Sequence, residues 1–215
     1  NQFLEAAAVP TAIFGPLMAM RTGEEALLFQ PDHRGSIALW LAGNVRREAR
    51  LGMNVESGDA SEAGRPDATR PSDFPRALYF SQAAGPRYGH MVLERAVKDR
   101  DAVVALGAIE ALRITAGPAS LIGSEAYKQP LVQALQFPDL VVRIRAALAL
   151  GAALPTQTFS DSELVIPVLN EALAQTGGQR VLVVDPAEDN LNRVSGAVRG
   201  IGRANVSSGN FETSN

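Results

Sequence analysis

The chain has 215 residues, of which 46% are hydrophobic and 6% aromatic, and its formal net charge is -3 with a pI near 5.5. This balance provides no global positive field, so we do not expect nucleic acid or an anionic membrane as a partner. Cysteine is absent, which excludes disulfides, thiolate nucleophiles and zinc–thiolate sites, and no apolar run approaches the roughly 20 residues that span a bilayer.

Residues 1–51 form a predicted N-terminal helical segment. A helix is expected to follow Pro10 and to end at Thr22-Gly23, with a short helix after it. The next helix, GSIALWLAGNVRREARLG, repeats apolar residues every four positions, with Asp32 or Ser36 as its expected cap.

Three arginines, Arg46, Arg47 and Arg50, cluster at the C-terminal end of that helix. The helix dipole favours cations at this end, so a solvated basic face explains the cluster. A contact with an anion or with a partner is the alternative, and the cluster is therefore a candidate interaction surface.

Residues 52–73 are rich in Gly, Ser, Pro, Asp and Glu and contain almost no large apolar residue. Such a composition buries too little surface to order itself, which predicts a flexible linker or loop. The alternative is an arm that binds a partner or regulates the protein.

Residues 74–178 contain an internal repeat in which two copies lie 38 residues apart. Each copy predicts a helix rich in leucine and alanine, a turn that ends in aspartate, and a second helix. Identical residues fall at eight aligned pairs of positions, namely 93/131, 96/134, 101/139, 103/141, 104/142, 108/146, 111/149 and 112/150.

The second copy resembles a HEAT repeat. The resemblance rests on the order Asp139, Val142, Arg143, Ala146, Ala149, Leu150 and Gly151. It implies that the aspartate and the arginine bond along a stack, so Asp101, Asp139 and Arg143 are expected to be structural, although Ala105 replaces the arginine in the first copy. The expected fold is mainly α, a short right-handed α-solenoid of about three HEAT-like helical pairs.

A third copy is expected to begin at Ser162, with Asp161 or Ser162 as its cap. In place of its second helix, residues 179–215 predict a small α/β element, a partial β-α-β. The segment VLVVDPAEDN resembles the start of a response-regulator receiver domain, but Pro186 follows Asp185 where receivers carry a second acidic residue. We therefore expect no phosphorylation site, and we interpret the chain as a fragment.

No residue constellation predicts catalysis or a bound cofactor. His90 and Glu94 have a spacing that can ligate a metal, but two groups do not make a site, so no metal is expected. An acidic cluster after the predicted strand is explained by first-turn helix charges, and consists of Asp185, Glu188 and Asp189.

The predicted function is a non-enzymatic scaffold that binds a protein partner along the solenoid, with Tyr79 and Tyr88 as further candidate surface residues. Three alternatives remain open: a regulatory module with a degenerate receiver-like domain, a structural subunit of a homo-oligomer, and an enzyme by analogy with HEAT-repeat lyases and DNA glycosylases. The compartment is left open, with the cytoplasm slightly favoured.

Overall fold

The computed structural model describes residues 9–62, 64–71, 73–124, 127–175, 179–184, 187–200 and 204–209. The protein is mainly helical, with 3-10 turns at Ala134–Gln136 and Ser162–Leu164. Its elements in chain order are α1 (Thr11–Phe29), α2 (Arg34–Arg50), α3 (Ala77–Ala84), α4 (Pro86–Asp99), α5 (Ala102–Thr115), α6 (Pro118–Ile122), β1 (Gly123–Ser124), β2 (Tyr127–Lys128), α7 (Pro130–Gln133), α8 (Leu140–Ala152), α9 (Val165–Gln175), β3 (Gln179–Val184), α10 (Glu188–Gly200) and β4 (Ala204–Gly209).

The chain forms two compact units, Asn1–Leu169 and Asn170–Asn215. In the second unit, β3 and β4 pair in parallel with Val181 opposite Val206, and α10 between them contacts both strands. In the first unit, β1 and β2 form a two-residue antiparallel hairpin. The predicted domain boundaries at residues 51, 73 and 178 stay predictions.

Helices of the first unit pack in pairs, α1 with α2, α4 with α5, and α7 with α8. Within this unit α5 lies between α2 and α8, and α4 contacts both α2 and α7. Each pair therefore buries its apolar side chains against the next pair, which is how stacked helical repeats are stabilised.

Residues at aligned repeat positions form the core of this unit. Leu93 and Leu131 are both completely buried. Leu112 is completely buried as well, and Leu150 is 1% exposed. Alanines at three further aligned pairs are also buried and let the helices approach closely, as at Ala108. Most identities that revealed the repeat are thus buried positions, whereas the aligned Val103 and Val141 are exposed.

The two aligned aspartates begin the second helix of each copy. The Asp101 carboxylate accepts a hydrogen bond from the backbone N–H of Val104 at 3.3 Å. The Asp139 carboxylate accepts from the N–H groups of Val141 and Val142 at 2.9 and 3.1 Å. Both residues therefore satisfy N–H groups that would lack a partner within the helix.

The first helix is longer than the sequence predicted. The expectation that Thr22-Gly23 ends a helix is wrong, because α1 continues without a break to Phe29. A Cβ built on Gly23 would lie 3.0 Å from the carbonyl oxygen of Ser36, so this glycine lets α2 approach. Glycine here serves packing between helices rather than the end of a helix.

The predicted helix caps also need correction. At the start of α2, neither Asp32 nor Ser36 caps the helix; His33 does, with its Nδ1 accepting from the Ser36 N–H at 3.2 Å. At the start of the third copy, Asp161 makes no side-chain cap bond and has a φ of 59°. Its Oδ2 instead accepts from the Gln136 amide at 2.9 Å.

The α2–α3 loop, residues 51–76, has no helix or strand among its described residues, as expected for a loop. Two ion pairs attach it to α2. Arg76 pairs with Glu48 at 3.0 Å, and both side chains are buried. Asp67 pairs with Arg47. These two ion pairs therefore hold the loop against α2. The predicted flexibility of the loop stays a prediction.

The same loop also packs on α2 and α3 and reaches α8. Val55 packs with Val45 and Ala77 in a small buried cluster. Glu56 pairs with Arg145 of α8 at 2.6 Å, across 89 residues of sequence. The α2–α3 loop thus connects the first helix pair to the third.

Because α1 and α2 approach closely at Gly43 but not at Gly15, replacing these two glycines by alanine is expected to change stability in opposite directions. A Cβ on Gly43 would lie 2.9 Å from Met20 Cγ and 3.1 Å from the Pro16 carbonyl oxygen, whereas a Cβ on Gly15 meets nothing within 4 Å. We expect Gly43→Ala to lower the free energy of unfolding by about 1–2 kcal/mol through overpacking. Gly15→Ala should raise it by about 0.5–1 kcal/mol through helix propensity. Urea unfolding measures both, and equal effects would contradict the close contact.

Candidate functional site

A groove of about 1130 Å³ lies between α1, α2 and α4. Its floor consists of small residues at helical spacing on α1 and α2, including Gly15, Ala19, Ala38 and Ala42. Because these side chains are short, the surface is recessed between the helices. A partner could therefore approach the helix backbones closely.

Apolar side chains border part of this groove. Leu39 of α2 lines it and is 42% exposed, and Met91 of α4 lines it from the opposite side. On α1, Phe14 and Met18 are exposed one position away from the lining residues Gly15 and Ala19. The groove therefore has exposed apolar side chains in its lining and next to it.

Charged side chains line the other part of the groove. Arg46 pairs with Asp101, and Arg95 pairs with Asp99 at 2.5 Å. A third group of lining charges, Arg50, Lys98 and Glu94, is exposed and makes no side-chain hydrogen bond or ion pair within the described part of the chain. The C-terminal ends of α2 and α4 lie close together here, because Arg46 of α2 pairs with Asp101, two residues after the end of α4.

The predicted arginine cluster divides between two environments. Arg46 and Arg50 line the groove, but Arg47 is only 5% exposed and does not lie on the outer face that the sequence predicted. Its guanidinium pairs with Asp67 and lies 5.5 Å from the centre of the Phe74 ring. Burial raises the pKa of Asp67, but hydrogen bonds from Thr69 and Arg47 outweigh it, so this pKa is below its usual range.

The two predicted surface tyrosines lie outside the groove. Tyr79 on α3 is 59% exposed, and its ring meets that of Phe80 edge to face at 5.6 Å. Tyr88 on α4 is partly buried and packs on the main core. The structure therefore brings Arg46 and Arg50 together in one surface, and leaves both tyrosines apart from it.

The residues of the expected ladder act mainly at helix starts. Arg143 Nη1 donates to the carbonyl oxygens of Phe137 and Pro138 at 3.0 and 3.1 Å, which fixes the turn before α8. Asp101, besides capping α5, accepts the ion pair from Arg46 on the preceding helix pair. Bonding of Asp139 and Arg143 along the stack stays a prediction.

His90 is half-buried, and its ring faces Ser120 of α6. Its Nε2 lies 3.1 Å from Ser120 Oγ, and its buried Nδ1 has no hydrogen-bond partner in the described structure. Among the described residues, no three His, Asp or Glu side chains form a group that could hold a metal ion. Burial lowers the pKa of His90, and the bond with Ser120 opposes this only in part.

The lowered pKa of His90 predicts a loss of stability on mild acidification. The unfolded histidine, with a pKa near 6.5, binds a proton more readily than the folded one. Well above pH 6.5 the histidine is neutral in both states and does not change the free energy of unfolding. As the pH falls from 6.5 through the folded pKa, the unfolded state binds more protons, so the free energy of unfolding decreases. Between pH 7 and pH 5 we expect the Tm of the wild type to fall more steeply than that of His90→Gln. Parallel curves would refute this.

Comparison with known protein families gives one match, which covers part of the first unit and the beginning of the second. Residues 90–182, less than half of the chain, match the family model of HEAT repeats. This match supports the resemblance to HEAT repeats that the 38-residue spacing indicated, over the residues that it covers. No curated protein and no solved structure matches the chain. None of these comparisons supports the receiver resemblance.

One further property concerns membranes. Within the described ranges, no helix has the length and the apolar character that crossing a bilayer requires.

Proposed function

We propose that the protein is a non-enzymatic scaffold and that a protein partner binds in the groove between α1, α2 and α4. The exposed apolar border beside a recessed floor of glycine and alanine supports this role most directly. HEAT repeats generally mediate protein–protein interactions, and stacked repeats offer long surfaces for docking. The predicted right-handed solenoid belongs to the same proposal.

A photo-crosslinking residue tests the groove against a matched position. Leu39 lines the groove at 42% exposure, whereas Leu148 on α8 lies outside it at 46%. With benzoylphenylalanine at each position in turn, we expect protein adducts in native lysate from position 39 only. The substitution Gly15→Trp should remove them, because that side chain enters open space within the groove. Identical adducts from both positions, or none, would count against the proposal.

A homo-oligomer is a second candidate, favoured by apolar exposure on α1. Leu28 and Phe29 at the end of that helix are among the most exposed large apolar residues of the protein. Such side chains can pair with a second copy of the chain. Light scattering decides this: a monomer at all concentrations would remove the candidate.

A regulatory role of the C-terminal α/β element is the third proposal. Its support is the parallel pairing of β3 with β4 around α10, an arrangement that α/β regulatory domains use. Asp185, the acidic residue of the receiver-like segment, lies outside the described residues. The reading frame downstream of residue 215 tests this role, because a receiver needs further strands and helices.

A further inference from the structure

We propose that the groove binds an amphipathic α-helix of a partner protein, oriented so that carboxylates at one end of that helix meet Arg50 and Lys98. This inference rests on the proposed function and adds the kind of partner segment and the position of its acidic residues. It follows from three properties of the groove: the secondary structure of its walls, the distribution of its charges and the position of its apolar residues.

The walls of the groove favour a helix over an extended peptide. Helices α1, α2 and α4 pair their backbone groups internally, so they offer no row of free N–H and C=O groups to an extended chain. A docked helix satisfies its own backbone groups and needs only an apolar face. The lining of α2 from Gly35 to Arg50 extends about 22 Å, which matches a helix of about four turns.

The charges of the groove define one basic end. Two of its cations are neutralised within the chain by Asp101 and Asp99. The cations that remain are Arg50 and Lys98, at the C-terminal ends of α2 and α4, with no side-chain partner in the described structure. Carboxylates of a docked helix would complement these two charges.

One carboxylate in the groove, that of Glu94, limits where the partner helix can carry acidic residues. Glu94 lies one helical turn before Lys98 on α4 and also makes no side-chain ion pair with any described residue. A second carboxylate placed beside it would be repelled. Acidic residues of the partner are therefore expected at the end turn only, next to Arg50 and Lys98.

The opposite end of the groove is apolar. Gly35, Ala38 and Leu39 line it from α2, and Met91 lines it from α4. No charged residue lines α2 before Arg46. A docked helix would place leucine-sized side chains here and reach charge complementarity only at its other end, beside Arg50 and Lys98.

Selection from a peptide library tests this inference without knowledge of the natural partner. The probe is a displayed library of 15-residue amphipathic helices with randomised polar positions, and the bait is the full chain. Gly15→Trp serves as the bait for counter-selection. We expect enrichment of Asp and Glu in one terminal turn only. Selection with no acidic bias, or equal recovery on both baits, would overturn the inference.

Charge reversal then measures the contribution of the basic end. For the best selected peptide, fluorescence anisotropy should show about tenfold weaker binding to Arg50→Glu/Lys98→Glu. The matched control, Arg21→Glu/Arg87→Glu, makes the same change in net charge at exposed arginines outside the groove and should change the Kd by less than about twofold. Equal losses in both variants would refute a specific basic end.

The two proposals fail in distinguishable ways. Groove-dependent adducts at Leu39 together with selected helices that lack acidic bias would leave the scaffold function standing and remove the inferred polarity. Absence of both adducts and selected helices would remove the proposed function itself.

Discussion

Replacing Arg76 by methionine is expected to lower the free energy of unfolding by about 3–5 kcal/mol. Arg76 and Glu48 are 5% and 2% exposed, and their ion pair is 3.0 Å long. The second oxygen of Glu48 accepts from the backbone N–H of Ala77 at 2.8 Å, so its carboxylate is held inside the protein. Removing the arginine leaves this buried charge without its counter-ion, which costs far more than loss of an exposed pair.

The bonds of Arg76 to the α2–α3 loop add to this effect. Its guanidinium donates to the carbonyl oxygens of Asn54 and Asp59 at 2.9 and 2.7 Å. Arg76→Met would therefore also remove these two bonds to the loop, and urea unfolding followed by circular dichroism would report the combined loss. Because a buried charge causes the penalty, adding Glu48→Gln to Arg76→Met should restore part of the stability.

An exposed ion pair provides the control for this experiment. Arg95 and Asp99 are both exposed and pair on α4 with i, i+4 spacing. We expect Arg95→Met to change the free energy of unfolding by less than about 1 kcal/mol. Losses of similar size at Arg76 and Arg95 would show that burial of the first pair does not determine its energetic role.

Truncation of Leu150 to alanine should lower the free energy of unfolding by about 2–5 kcal/mol. Leu150 is 1% exposed on α8 and belongs to the main core, so its loss leaves a cavity between stacked helices. Leu148 on the same helix is 46% exposed, and Leu148→Ala should cost less than about 1 kcal/mol.

Comparing Leu150 with Leu148 separates the effect of burial on the free energy of unfolding from the effect of residue type. Both variants remove the same atoms from the same helix, so helix propensity cancels and only burial differs. Chemical unfolding of each variant gives the comparison. Equal destabilisation by the two substitutions would contradict the assignment of the aligned repeat positions to the core.

Features that depend on local periodicity were predictable from the sequence. Leu112 and Leu150 coincide at a spacing of 38 residues because both face a neighbouring helix, and the pattern reports that directly. Asp101 and Asp139 were recognisable by their position before an apolar helical run, where a carboxylate caps free N–H groups.

Features that depend on distant partners were not predictable. Arg47 belongs to a basic cluster in the sequence, and only the folded loop brings Asp67 next to it from 20 positions away. Gly23 signals a break in isolation, whereas its actual role is contact with Ser36 on the next helix. His33 is an uncommon cap and was outweighed by the better-known capping residues around it.

The groove lies between these two cases. Its floor has a sequence signal, since Gly35, Leu39, Ala42 and Arg46 recur every three or four residues along one face of α2. That pattern was used only to predict a helix. Which small face stays uncovered depends on where α1 and α4 pack, and this is a tertiary property that spacing within one helix does not carry.

The contact between Glu56 and Arg145 has a consequence for how the first unit unfolds. In an array that contacts only its nearest neighbours, terminal repeats can fray while the remainder stays intact. Here a loop that follows the first helix pair also contacts the third, at 2.6 Å. Loss of α8 would remove an anchor of that loop, so unfolding of the third helix pair should also weaken the attachment of the loop to the first, a link that simple nearest-neighbour stacking lacks.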